Sequence, residues 1–363
     1  MIEADVIVVG AGPAGATFAL NLAPLWRVLV VDRQSPPDAR IGESLAPAAR
    51  RLLTGMGLWD PFLAQGHSPS HGGRSVWGGP EPTERDNLRD LDGPGWHLDR
   101  VRFDDWLRAV AVKRNAALLV PARPTDIRRA GDTWLLELLT EGRALAARAR
   151  LLVDATGRRS SVARGLGSRR VVEDRVVCGW MHGEDAPGRQ SGLTHIEAEP
   201  DGWWYSAPLP GCRRVVAFHT DADLPAAAIA AGGPNGLLRR AAECDFLAGI
   251  LRGSGFTPGD AGGFCAAQSA VLTPSMGDGW LSVGDAALSF DPLSSQGLFN
   301  ALYTGLAAAE AADRYLSGDA GGLDPYRATL ASVHAAYREH LRAWYGLERR
   351  WADRPFWQRR LQR

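Results

Sequence analysis

The residues near the N-terminus have the types and spacing to hold a dinucleotide. Val6-Ile7-Val8-Val9 runs directly into Gly10-Ala11-Gly12-Pro13-Ala14-Gly15, a G-x-G-x-x-G pattern. An unbroken β-branched run is that of a parallel strand covered on both faces. Gly10 permits a tight turn, Gly12 lets the backbone approach a pyrophosphate, and Gly15 lets the next helix pack on the strand. Pro13 and Ala14 open that helix, whose unpaired N–H groups and dipole favour a pyrophosphate. The context agrees: residues 14–23 read as an apolar helix and residues 27–31 as a second strand ending at Asp32. A carboxylate there suits the hydroxyls of an adenosine ribose. Arg33 and Arg40, in the loop that follows, count with the cofactor-binding residues. The same glycines would also serve a tight strand–helix turn without a ligand.

A second group of residues lies far along the chain. The strand-like Trp280-Leu281-Ser282-Val283 ends in Gly284-Asp285. An acidic side chain at the carboxyl end of a strand suits a polyol such as a ribityl chain, or caps a helix. Asp291-Pro292-Leu293-Ser294-Ser295-Gln296-Gly297 follows, a loop of small residues that leads into a helix. Such a loop offers several N–H groups to an anion. Reduced flavin carries negative charge near N1 and the C2 carbonyl and fits this helix start, and so does an ordinary serine cap. Together the two groups point to FAD rather than to a nicotinamide.

Composition bounds the remaining choices. At 363 residues the chain can bury a large α/β core with a smaller satellite. Basic and acidic residues balance at 41 each, which argues against nucleic acid or an anionic membrane as partner. Lys113 is the single lysine. Cysteines 178, 212, 244 and 265 form neither C-x-x-C nor zinc spacing, so no metal is expected and the thiols read as reduced. The N-terminus has no signal-like n-region and no run of 18 apolar residues occurs, so a cytoplasmic location without a membrane span is expected.

Between these landmarks, a helix is predicted from Arg100 to about Arg114 and a hairpin over residues 125–153, with turns at Gly131-Asp132 and Glu141-Gly142. Residues 171–222 read as an antiparallel meander, and from Gly297 the chain is helical with a break around 317–324. This pattern divides the chain into a discontinuous α/β unit (1–70, 98–170 and 264–330), a substrate unit (71–97 and 171–263) and a helical tail (331–363).

Gly10 to Gly15, Asp154-Ala155-Thr156-Gly157, and Gly284-Asp285 through Gly297 resemble the three signatures of FAD-dependent monooxygenases with a p-hydroxybenzoate-hydroxylase-like fold. Gly42-Glu43-Ser44 is similar to the branch shared with flavin-dependent halogenases and geranylgeranyl reductases. The 284–297 segment, with Trp351, Phe356-Trp357 and Arg359-Arg360 near the end, resembles flavoproteins that hydroxylate a peptidyl tryptophan during tryptophylquinone maturation. The resemblance spans nearly the whole chain. It implies an α/β fold: a Rossmann-like, glutathione-reductase-type FAD domain, an inserted antiparallel β-sheet substrate domain and C-terminal helices. It places Arg100 at the phosphate–ribityl region, Asp285 at the ribityl chain, Pro292, Ser295, Gln296 and Gly297 facing the isoalloxazine, and Glu43 and Ser44 near the flavin edge. One departure is Asp154-Ala155-Thr156-Gly157, where simple aromatic hydroxylases carry a Gly-Asp-Gly type sequence; the reductant is left as NAD(P)H or an external flavin reductase.

The activity this implies is hydroxylation of an electron-rich ring, preferably an indole or a tryptophan in a quinoprotein precursor. O₂ is co-substrate and a flavin C4a-hydroperoxide the oxygen donor. Glu43, His71 and Tyr205 are the candidate catalytic residues. His71 and His97 flank a glycine-rich stretch and serve either proton transfer or a loop surface. Trp203 and Tyr205 share one strand face, opposite Trp204, and line either a substrate pocket or the sheet core. Halogenation is an alternative, as is isoprenoid reduction. A halogenase needs a capturing lysine and a W-x-W-x-I-P segment. This chain has only Lys113, and Trp203-Trp204-Tyr205-Ser206-Ala207-Pro208 departs at Tyr205 and Ala207.

Overall fold

The computed structural model describes residues 1–34, 40–87 and 91–362. A six-stranded sheet runs in the order Met276–Gly277, Trp280–Ser282, Leu151–Asp154, Val6–Val9, Val28–Val31 and Ala117–Leu119. Its five long-range pairings are parallel except that of the short hairpin partner Met276–Gly277. Val6–Val9 is buried at every residue, because helices cover one face and a second sheet the other. Val6 and Val8 pack with Phe18 and Leu302 of the helices Pro13–Leu22 and Gly297–Leu316. Ile7 and Val9 pack with Trp134, Leu136 and Leu138. Those residues belong to the expected hairpin, formed by Arg123–Ala130, Thr133–Thr140 and Arg143–Ala149.

The other large element is a seven-stranded sheet. Its order is Thr257–Ala266, Val176–Glu184, Arg213–Asp221, Gly202–Leu209, Leu193–Glu199, Gly72–Val76 and Thr83–Asp86. The meander is antiparallel, and Gly72–Val76 joins it in parallel with Leu193–Glu199. Alternation sends Trp203 and Tyr205 to one face and Trp204 to the other. The Trp204 face lies under Ala226–Ala231, Gly233–Ala241 and Asp245–Ser254, whose apolar residues complete a separate core.

The elements cross the expected unit limits in four places, one of them the strand Arg169–Val172, which spans the limit at 170/171 and pairs with Ala270–Thr273. Strand Thr257–Ala266 carries residues 264–266 into the seven-stranded sheet. Strand Gly95–His97 pairs with Ser44–Leu45 and Ser68–Ser70 instead of the meander. Helix Asp324–Leu347 runs unbroken through the expected limit at 330/331. In each case long-range pairing or a continuous helix overrides a local change in composition. The C-terminal helix Pro355–Leu361 is docked rather than free: Phe356 and Trp357 are fully buried, and the Trp357 indole donates to the Glu199 carbonyl at 2.9 Å. Arg360 stacks on Phe356 and pairs with buried Asp221 at 2.8 Å. Trp357→Ala is therefore expected to cost about 3–5 kcal/mol, measured by urea unfolding; a loss near zero would show that the helix is not integral to the core.

Candidate active site

A cavity of about 710 Å³ opens at the carboxyl ends of the parallel strands. Val9, Val31, Ala155 and Val283 mark those strand ends, and Trp203, Tyr205 and His219 of the seven-stranded sheet line the opposite side. Crevices at strand carboxyl ends are where open α/β sheets bind ligands.

The three glycines do different work. A Cβ on Gly10 would lie 2.2 Å from the Ala155 carbonyl oxygen, and one on Gly15 would lie 2.0 Å from that of Gly10. These two glycines let three backbone segments touch. A Cβ on Gly12 would meet nothing within 4 Å, so this position opens on free space in the cavity wall. Gly12 is also the N-cap of Pro13–Leu22, and no side chain satisfies the first-turn N–H groups. Pro13 and Ala14 line the cavity beside it. The loop is held from behind. Asp32 accepts from the Ala11 N–H at 2.6 Å and the Gln34 N–H at 2.9 Å, and pairs with Arg108 at 3.3 Å. Arg108 donates in turn to the Ala11 carbonyl at 2.9 Å and the Gln34 carbonyl at 2.8 Å.

Arg108 was absent from the sequence-based candidates. A signal existed: Arg100, Asp104 and Arg108 recur every four residues along Arg100–Lys113 and share one face. Arg100 pairs with Asp104 at 3.2 Å and donates to the Gly42 carbonyl at 2.8 Å; Arg40 approaches Asp104 at 3.7 Å. Arg33, Arg40 and Arg100 all line the cavity. Burial holds the Arg40 pKa below its ordinary value.

At the far end, Asp285 lines the cavity and pairs with Arg158 at 3.4 Å. Gly284 sits behind it, its N–H donating to Thr304 Oγ1 at 2.9 Å. Asp154 is turned inward, accepting from the N–H groups of Thr156 at 2.9 Å and Ala163 at 2.8 Å, which bends Ala155, Thr156 and Gly157 into the wall. Pro292, Ser295 and Gly297 line the cavity, with Gln296 set back from the lining. Asp291 anchors this loop from below. It accepts from the Leu293 N–H at 2.9 Å and the Tyr345 hydroxyl at 2.8 Å, and burial raises its pKa to about 6. The open position at Gly12, the arginines near one end and the exposed carboxylate of Asp285 at the other fit an elongated diphosphate cofactor such as FAD.

The sheet wall has a different chemistry. Cys265, Cys178, His219 and Trp203 are successive cross-strand partners in one row. His219 stacks on Trp203 at 3.8 Å, and neither of its ring nitrogens has a hydrogen-bond partner. Burial lowers its pKa to about 3. The Tyr205 hydroxyl is likewise buried without a partner, and burial pushes its pKa up. Glu43 is 1% exposed and lines the cavity; its carboxylate accepts from the Gly42 N–H at 2.9 Å and lies 3.1 Å from His182 Nε2. Ser44 lines the wall beside it.

His71 is exposed and does not line the cavity; its backbone is tied to Gly192 at the mouth of the parallel strand pair. The geometry therefore gives His71 no proton-transfer position. His182, which lies 139 residues from Glu43 in sequence, holds the position next to that carboxylate. His97 is buried against Thr194 Oγ1 at 2.8 Å. Among the described residues no cluster of His, Cys, Asp or Glu is arranged to hold a metal ion. Among them, too, no helix is long and apolar enough to cross a membrane.

Two measurements separate these roles. Gly12→Val is expected to fold normally yet purify without flavin absorbance, whereas Gly15→Ala is expected to lose about 1–3 kcal/mol of stability from the forced overlap. Equal flavin content in wild type and Gly12→Val would refute the placement. The buried histidines set the pH response. Burial holds His67 and His97 at about 4 and His195 and His219 at about 3, against 6.5 in an open chain. The unfolded chain thus binds more protons, so their contribution is complete above pH 6.5 and is lost as pH falls toward 3–4. Each costs on the order of 2 kcal/mol by about pH 5. Asp291 opposes one of them, since its raised pKa removes stability as pH climbs through about 6. His219→Phe keeps the stack and removes two unpartnered nitrogens, so Tm at pH 7 should rise and its drop between pH 7 and 5 should shrink; an unchanged drop would contradict the assignment.

The chain matches the model of the FAD binding domain family over residues 3–204. It is 30% identical over 362 residues to the putative FAD-dependent oxidoreductase LodB of Marinomonas mediterranea, covering 98% of this chain and 96% of that one. Among solved structures it is similar to the myxobacterial chondrochloren halogenase CndH, with TM-score 0.89, 28% identity, and coverage of 99% of this chain and 86% of that one. It shares its fold with the peptidyl tryptophan dihydroxylase QhpG, with TM-score 0.76, 24% identity, and coverage of 99% and 78%. Fold, cavity and relatives agree that this chain belongs to the FAD binding domain family and is an FAD-dependent oxidoreductase.

Proposed function

We propose that this protein is an FAD-dependent monooxygenase that hydroxylates an electron-rich aromatic ring, with a tryptophan side chain of a partner protein or peptide as substrate. The observation that carries this reading is the sheet wall of the cavity. Trp203 and His219 offer stacked rings, and Tyr205 and His219 offer buried polar atoms with no partner inside the protein. Leaving such atoms unpaired costs about 1–3 kcal/mol each. An indole with one N–H and an extended π face would use both kinds of surface.

FAD, when bound, supplies the activation of O₂ and the oxygen that is transferred. The chain's residues bind and orient the ring and handle its proton. Tyr205, held as a neutral phenol by burial, accepts the indole N–H of the substrate at its hydroxyl oxygen. Glu43 is the base that takes the proton released as the hydroxylated ring regains aromaticity, and His182 at 3.1 Å relays it outward. Trp180 packs against His182 at a tilt, ring centroids 4.9 Å apart, and keeps the imidazole facing Glu43. The buried wall excludes water from the oxygen-transfer step. Asp32, Arg33, Arg40 and Arg100 hold the adenosine diphosphate half of FAD; Asp285 holds the ribityl chain, and the 292–297 loop faces the flavin ring. The function stated for QhpG supports the peptidyl substrate, and LodB, at 30% identity over almost the full length, supports FAD-dependent oxidation.

The likeness to CndH favours halogenation as a second reading. The single lysine speaks against it: Lys113 closes the helix Arg100–Lys113 and does not line the cavity. One assay decides. The flavin-loaded protein is supplied with O₂, a tryptophan-containing peptide, chloride and bromide, and with either NAD(P)H or an external flavin reductase. Oxygen addition to the peptide, labelled by ¹⁸O₂, is the expected product; a halogenated peptide would replace this reading. Glu43→Gln should keep bound flavin and lose about 100-fold in kcat. Tyr205→Phe should raise KM up to about 10-fold with a smaller change in kcat.

A further inference from the structure

We propose that Cys178 and Cys265 form a reversible thiol–disulfide pair in the wall of the flavin cavity, with hydrogen peroxide as the oxidant. The pairing is set by register. The two cysteines face each other directly on the antiparallel strands Val176–Glu184 and Thr257–Ala266. Directly opposed residues have Cα atoms about 4.5–5.5 Å apart, inside the roughly 4.4–6.8 Å that a disulfide spans. Both line the cavity, in the same row as His219 and Trp203. The other two cysteines are placed differently: Cys212 sits at a turn with φ +59°, and Cys244 donates to Glu199 at 3.4 Å within another core.

The two thiols are inequivalent, as attacking and resolving partners must be. Cys178 is 1% exposed, and burial pushes its pKa up. The hydrogen bond with Cys178 and the charge of Arg158 pull the Cys265 pKa down, against burial and Glu43. Cys265 is the attacking thiolate. Its sulfur attacks one peroxide oxygen, the O–O bond breaks, and the departing hydroxide takes up a proton to become water. The resulting Cys265 sulfenic acid is attacked by the Cys178 sulfur; the S–S bond forms, the S–O bond breaks, and water leaves with the Cys178 proton. Two thiols lose two electrons and one peroxide becomes two waters. Peroxide arises in such a cavity whenever reduced flavin meets O₂ without transferring oxygen. The disulfide then ties the exposed edge strand Thr257–Ala266 to its neighbour beside the ring-binding row.

The test uses the flavin-bound protein, reduced with dithiothreitol, desalted and treated with stoichiometric hydrogen peroxide. It is then denatured, alkylated and mapped by peptide mass spectrometry. The expected result is a cross-linked peptide joining Cys178 and Cys265, the loss of both from the alkylated pool, and recovery of both with dithiothreitol. Cys178→Ser should leave Cys265 as a sulfenic or sulfinic acid, and Cys265→Ser should leave Cys178 alkylatable; bound flavin absorbance reports that each variant is folded. The proposal is overturned if both wild-type cysteines stay alkylatable at peroxide levels that oxidise an exposed thiol. It is equally overturned if Cys265 over-oxidises while Cys178 remains free. The readout needs no substrate, so it stands or falls separately from the hydroxylation reading.

Discussion

The contact of three backbones at Gly10, Gly15 and Ala155 is the constraint on which the rest depends. No side chain fits there, since an added Cβ would overlap a carbonyl oxygen at 2.0–2.2 Å. That closeness brings the start of Pro13–Leu22 and the turn after Leu151–Asp154 to the same end of the sheet. It also leaves Gly12 facing open space, so a tight fit on one side of the loop creates room on the other. Asp32 and Arg108 then fix the loop by hydrogen bonds to its backbone rather than by contact with a ligand alone. The anion site is therefore built before any anion arrives, which lowers the ordering cost of binding.

The sheet wall follows the opposite rule. Interiors pair their polar atoms, yet the His219 nitrogens and the Tyr205 hydroxyl are left over. Their burial lowers stability and shifts their titration, and nothing in the packing of that sheet requires them: Val215 and Ala217 occupy neighbouring positions on the same face. Unpaired atoms beside a large cavity mark where stability has been given up for recognition. The C-terminal helix stabilises the same region. Trp357, Phe356 and Arg360 close the edge of the core to which Trp203 and Tyr205 belong, and Tyr345 reaches across to Asp291 under the flavin loop. Two helices, Asp324–Leu347 and Pro355–Leu361, thereby brace both walls of the cavity.

What the sequence made legible was whatever is local in the chain. The glycine loop, the strand ending at Asp32, the hairpin expected over residues 125–153 and the Gly284-Asp285 turn are all encoded by neighbours in sequence. The alternation of Trp203, Trp204 and Tyr205 was readable for the same reason. What stayed hidden depends on register between distant strands. The parallel pairing of Gly72–Val76 with Leu193–Glu199 joins segments with no shared pattern, and it sets His71 at the surface. The contact between Glu43 and His182 spans 139 residues, and the row from Cys265 to Trp203 exists only once four strands are aligned. Arg108 stands between these cases: its helical spacing was visible, but its targets, the carbonyls of Ala11 and Gln34, carry no side-chain signature.

The two walls evolve under different demands. The glycine loop, the arginines and Asp285 suit the shape and charge of one cofactor, and the halogenase CndH and the dihydroxylase QhpG both share this fold. The cavity-facing side of the sheet wall's strands packs in a cluster distinct from the one around Val6 in the parallel sheet. The choice of reaction therefore rests on the few side chains that the meander presents to the cavity. Here those are aromatic, hydroxyl, imidazole and thiol groups with a buried carboxylate opposite, and no amine. On the proposed reading, a wall of that composition would bind a ring and move its proton, and the lysine on which a halogenase relies does not line it.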